Sequence, residues 1–221
     1  MFDERYIEEY LQLSDLTHWI WFKYHNHFRD KEYRNDWSLL CAARDWIHVA
    51  VRYLNSHPLP RRRAQSMEVL SYILSIGNIV EAVDKMHIAI FCPQDPVFYG
   101  ENDCFPDNCF QMNDWNYFKR LRACFGVHPV DIGKNGEEKR FASWSGDFES
   151  SGGFSVRLYS GEVDGKDMDL RIDFNQLNRF VKKYYEHLPV LKAALPTGGS
   201  LFRAPRSRRA AGRSCPTPSR R

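Results

Sequence analysis

No uninterrupted stretch of about 18 apolar residues occurs in this chain of 221 residues, so nothing in it reads at once as a bilayer-spanning helix. The opening MFDERYIEEY carries charges where a secretory leader needs an apolar core. Both absences point to a cytoplasmic protein. Cysteine is sparse: Cys41, Cys92, Cys104, Cys109, Cys124 and Cys215 are too few and too irregularly spaced for a disulfide scaffold, which predicts free thiols. Cys92, Cys104 and Cys109 lack the paired two-residue spacing of a zinc site, so neither a metal nor a cofactor is expected. A phosphate-binding glycine loop, a zinc-protease helix motif, a nucleophile elbow and a dinucleotide fingerprint are also missing.

Positive charge is scarce outside the last residues. The net charge is +3, but residues 193–221 hold seven arginines and no acid, and removing them leaves −4 for residues 1–192. A basic surface is therefore not a property of the whole body, and any case for nucleic-acid binding must rest on a local site or on the tail. From Pro196 onward the chain is Arg, Ala, Pro, Ser and Gly with little to bury, and it reads as disordered. Its composition fits a read-through or expression scar as well as a nucleic-acid-binding tail.

What is present reads as mainly α. Residues 4–28 contain no proline or glycine and are rich in aromatics (Tyr6, Tyr10, Trp19, Trp21, Phe22, Tyr24, Phe28), which predicts one or two helices. Asn35 can cap a helix from Asp36 to about Asn55, with Leu40, Ile47, Val51 and Leu54 at helical spacing, ended by His57-Pro58-Leu59-Pro60. A helix from about Ala64 to Phe91 is apolar on nearly every side between Val69 and Val83, the pattern of a central helix. Residues 94–112 read as a long loop, a length that is often functional. Asn113 then caps a helix striped by Trp115, Phe118, Leu121, Cys124 and Phe125, closed by Gly126 and Pro129. These segments form a bundle of about four helices over residues 1–132.

Downstream the period becomes 2. Phe154, Val156 and Leu158 alternate with polar residues, as do Met168, Leu170, Ile172 and Phe174, giving two half-buried antiparallel strands. A three-residue loop Val163-Asp164-Gly165 would pair Phe154 with Phe174, Val156 with Ile172, Leu158 with Leu170 and Glu162 with Lys166. A strand near Arg140 to Trp144 completes a small antiparallel β-meander, and Asn175 caps a C-terminal helix from Gln176 to about Ala194. The meander and helix, residues 133–195, are expected to pack on the bundle as one domain, with residues 196–221 as the disordered basic tail.

Three groups of residues carry chemistry. Arg122 lies four residues after Phe118 and three before Phe125, beside an apolar stripe where a permanent charge needs an answer. Glu81 or Asp84 of the central helix could pair with it. Six residues on, His128 would lie about 120° round a continuous helix, but Gly126 loosens that turn and Pro129 disfavours helix at His128, so the imidazole can fold back. Such a pair suits metal-free RNA cleavage, with imidazole moving the 2′-hydroxyl proton and guanidinium holding the phosphate. Arg44, Asp45, His48 and Arg52 share one helical face and could bind a phosphate, although the same residues make an ordinary solvated stripe. Arg120 joins Arg44 and His48 as a candidate binding residue. Glu162, Asp164, Asp167, Asp169 and Asp173 are acidic, but alternation sets Asp169 and Asp173 outside the hairpin near Arg157 and Arg171, as charged neighbours rather than metal ligands.

An arginine followed after a few residues by histidine, near the end of a late helix in a bundle, resembles the HEPN superfamily. The likeness covers roughly Asp36 to Pro129 and departs at Ala123, where those proteins commonly carry a polar residue. It implies an RNA-cleaving or RNA-binding protein of prokaryotic stress or defence type, working as a homodimer without metal, with Arg122 and His128 catalytic. The contrasting expectation is a non-enzymatic interaction module that docks a protein partner through Phe98, Tyr99, Phe105 and Phe110 of the 94–112 loop.

Overall fold

The computed structural model describes residue 2 and residues 36–60, 63–91, 93, 95–127, 139–143, 147–149 and 152–194. The expected helices of residues 4–28, the cap at Asn35 and the tail from Pro196 lie outside them. The described chain is mostly helical with a small three-stranded antiparallel sheet.

Helix α1 (Asp36–Ser56) buries Leu40, Ala43, Ile47, Ala50, Val51 and Leu54 at helical spacing, as its periodicity predicts. Helix α2 (Ser66–Phe91) is central. Thirteen of its residues are buried, spread over most of its circumference, because α1, helix α3 (Asp114–Arg122), helix α4 (Phe174–Tyr185) and helix α5 (Leu188–Ala194) all pack on it. Among the described residues, α2 is the helix long and apolar enough in composition to cross a membrane, and 56% of its most apolar stretch is buried by its neighbours. Its interspersed Ser, Asn, Glu and Asp hide that length from a search for uninterrupted apolar runs.

The helix begins two residues later than expected. Strand β1 (Arg63–Gln65) precedes it and pairs antiparallel with β3 (Asp147–Glu149), setting Ala64 opposite Phe148. The Gln65 N–H donates to Glu68 Oε2 at 2.9 Å, which satisfies an amide the first turn of α2 would otherwise leave open.

Strands β2 (Arg140–Ala142), β4 (Gly153–Ser160) and β5 (Met168–Asp173) form the sheet in the order β2-β4-β5. The hairpin register differs from expectation by two residues: Phe154 faces Ile172, Val156 faces Leu170 and Leu158 faces Met168. The expected Glu162–Lys166 pairing falls within the longer connection that results. Outward residues decide the register. The expected alignment would set Arg157 opposite Arg171, whereas the observed one sets Arg157 opposite Asp169, with Nη1–Oδ1 at 3.2 Å. A slip of two preserves the faces, so Val156, Leu158, Leu170 and Ile172 are buried as predicted.

Asp173, not Asn175, caps α4: its Oδ1 accepts from Asn175 N at 2.7 Å and from Gln176 N at 3.2 Å. The expected single C-terminal helix is two, with Glu186 and His187 in the turn between them. Pro189 accounts for the break, since it lacks an N–H and is accommodated only in the first turn of the new helix. Leu177, Phe180, Val181, Tyr184 and Leu188 are buried as predicted.

Candidate functional site

Asn113 caps α3 as its sequence predicts, its side chain accepting from Asn116 N at 2.9 Å. Trp115, Phe118 and Leu121 bury one face, and Lys119, Arg120 and Arg122 crowd the last turn, where cations complement the helix dipole. A π-helical turn, Ala123–Val127, follows and shifts the chain off α-helical register.

Arg122 lies across α2 at Gly77, where a Cβ would stand 2.9 Å from its Cδ and 3.1 Å from its Nη1. One turn further along α2, Glu81 Oε1 accepts from Arg122 Nη2 at 2.7 Å. Of the two acids suggested by sequence, Glu81 is the partner. Asp84 is instead buried and accepts from Val97 N at 3.0 Å, with burial raising its carboxyl above the usual range. His128 lies outside the described residues, which here end at Val127.

Glu81 lines a groove of about 380 Å³ between α1 and α2, with Leu39, Ala42, Ala43 and Trp46 on one wall and Asn78, Ala82 and Lys85 on the other. Trp46 is 57% exposed. Large aromatics are usually mostly buried, so an indole held open on a helix beside a lysine offers a stacking platform. Sequence reasoning passed over Trp46 and Lys85. The available signal was the seven-residue step from Leu39 to Trp46, a second apolar row on α1 apart from its core stripe.

The other candidate binding residues do not assemble. Arg44 pairs with its neighbour Asp45, through Nε at 3.0 Å and Nη2 at 2.8 Å, and no hydrogen bond or ion pair among the described residues joins the His48 imidazole to that pair. Arg120 sits over the Phe110 ring at 5.5 Å, and Lys119 over Trp115 at 5.7 Å. In the acidic set, Asp167 and Asp169 pair with Arg157 and Asp173 caps α4, so these three serve the sheet and the helix end.

The 95–113 loop is tied down rather than open. Asp114 accepts from Cys104 N through Oδ2 and from Phe105 N through Oδ1, both at 2.9 Å, and Asp114 N donates to Glu101 O at 2.8 Å. Lys183 holds Glu101 and Asp103, the latter at 2.8 Å, and its ammonium stands over Phe98 at 4.9 Å. The hydrogen bond from Lys183 holds the Asp103 carboxyl below its usual range, while burial raises Asp114. Ligand atoms of Asp103, Cys104 and Asp114 lie within 4.8 Å of one another, but Lys183 already supplies a cation there, and burial pushes the Cys104 thiol up to about 12. Of the four loop aromatics expected to face a partner, Phe105 is buried, Phe98 and Phe110 pack against the core, and Tyr99 is exposed.

Neither known protein families nor curated proteins nor solved structures give a match to this chain.

Proposed function

We propose that the chain is a HEPN-like helical-bundle protein that binds RNA across the groove between α1 and α2 and cleaves it without metal, with Arg122 holding the phosphate and His128 moving the proton. The observation that carries this reading is the Arg122–Glu81 pair, whose Glu81 lines a groove that also presents the exposed Trp46 and Lys85. The Arg122–Glu81 pair is partly open, with 24% and 52% of the two side chains exposed, and such pairs are worth about 0–1 kcal/mol. A phosphodiester offering two oxygens to the guanidinium can therefore displace Glu81 at little cost. Stacking of a base on Trp46 would add about 1–3 kcal/mol. Lys85 in the groove wall, with Arg122 beside it through Glu81, supplies local positive charge that the body as a whole lacks.

The rival reading, an interaction module using the 94–112 loop, is weakened by the inward turn of Phe98, Phe105 and Phe110. As a nuclease the protein acts in the cytoplasm as a homodimer with the Arg122 end of α3 at the interface, the arrangement the resemblance implies. Incubation of the purified chain with RNA in the presence of chelator tests the activity: cleavage lost in both Arg122→Ala and His128→Ala supports it, and intact RNA with the wild type refutes it.

A further inference from the structure

A second constellation lies away from the groove, where α2 meets the turn between α4 and α5. His87 Nδ1 and His187 Nε2 face each other at 3.1 Å across 100 residues of sequence. We propose that these two imidazoles form a binding site for a borderline first-row divalent ion of the zinc, nickel or copper type.

The geometry supports it. Two nitrogens bound to one ion at ~2.0–2.1 Å stand about 2.9 Å apart along a right-angled edge and about 3.4 Å apart along a tetrahedral edge. The observed separation falls between these limits, so the two nitrogens already stand at the spacing a shared ion requires, and the rings need turn only to aim their lone pairs at it. The rings are also held in place. His87 packs against Phe91 at 4.9 Å, and His187 against Phe98 at 5.4 Å, so little ordering is needed on binding.

Access is open. His187, though not His87, lines a concavity of about 500 Å³ whose walls carry Asp103 and Glu186 beside Arg179, Lys182 and Lys183, which leaves room on its side for waters or an anion to complete the coordination. Burial lowers the pKa of both imidazoles, and His87 lowers that of His187 further, which keeps them as neutral ligands at neutral pH. The buried Asp84, three residues before His87 on α2, acts on it in the opposite sense, raising its pKa. Of the cations that line the concavity, Lys183 is occupied by Asp103 with Glu101 and Lys182 by Glu186, and Arg179 is the third. Nitrogen donors select against magnesium and calcium, which take oxygen ligands. A bound ion would clamp the α4–α5 turn to the central helix.

Zinc chloride titrated into the full chain by calorimetry provides the test, beside His87→Gln, His187→Gln and His187→Cys, each checked by circular dichroism. The expected result is one zinc per chain in the wild type, binding weakened at least about tenfold in both Gln variants, and binding retained in the Cys variant, whose thiolate is also a zinc ligand. Absence of stoichiometric zinc binding by the wild type, or unaltered binding in both Gln variants, would overturn the proposal. Should a Gln variant lose its helical spectrum, copper(II) added to the wild type decides. Paramagnetic broadening of the amide signals of residues 87–91 and 184–188 is expected first, and broadening that begins elsewhere contradicts the site.

Discussion

Arg122 and Gly77 are in contact because Gly77 has no side chain: a Cβ on that residue would stand 2.9 Å from Arg122 Cδ. The missing methyl lets the guanidinium cross α2 and reach Glu81. Gly77→Ala should therefore act in two opposing ways. Helix propensity favours alanine by up to about 1 kcal/mol, while the displaced arginine loses a pair worth about 0–1 kcal/mol. The expected thermal midpoint is close to wild type. A double-mutant cycle between Arg122 and Glu81 should show coupling in the wild-type background and none once Gly77→Ala is in place.

Asp114 holds two loop amides, Cys104 N and Phe105 N, in a buried setting. Asp114→Ala leaves both donors unsatisfied, and each such group costs about 1–3 kcal/mol. Denaturant unfolding should show a loss of several kcal/mol, with faster amide exchange at residues 104 and 105. A loss below about 1 kcal/mol would mean that the loop is not anchored there.

The helices and the buried faces of the strands were legible in sequence because periods of 3.6 and 2 are local. The hairpin register was not, since a two-residue slip keeps Val156, Leu158, Leu170 and Ile172 on the same face; Arg157 opposite Asp169 rather than Arg171 carried the missing information. Strands β1 and β3, three residues each, exist through their pairing with each other and leave no local signature. Glu81 could be named as a partner of Arg122 because α2 offers few acids at that level. The groove could not, because Trp46 and Lys85 come together only when α1 packs on α2. Nothing local marks His87 and His187, which meet across 100 residues.

The cross-strand pair makes the register testable. Asp169→Arg sets like charges opposite each other and should destabilise by about 0.2–1 kcal/mol, and Arg157→Asp added to it should restore most of the loss. A register that placed Arg171 opposite Arg157 predicts the reverse for Arg157→Asp alone, which would stabilise the hairpin there but sets two carboxylates opposite each other, and destabilises, in the observed one.

Acid sensitivity follows from the two histidines. Their pKa values lie below the unfolded value of 6.5, so each charges less readily in the folded chain than in the unfolded one. Their contribution is fully present above pH 6.5 and is lost as pH falls through the lower folded values. In chelated buffer the wild-type midpoint should fall as pH drops below that point. A variant carrying both His87→Gln and His187→Gln should show a flatter profile, and an identical slope in wild type and variant would contradict this assignment.

Binding of a fluorescent single-stranded RNA to the full chain, measured by anisotropy for wild type, Trp46→Ala and Arg122→Ala at one salt concentration, tests the central claim most directly. All three proteins keep the Arg-rich tail, so its sequence-independent contribution cancels. The account predicts that each substitution weakens binding about tenfold, Trp46→Ala through the lost stacking of one base and Arg122→Ala through the lost phosphate contact, while circular dichroism stays unchanged. Equal affinity for all three proteins, or no RNA binding by the wild type, would contradict it.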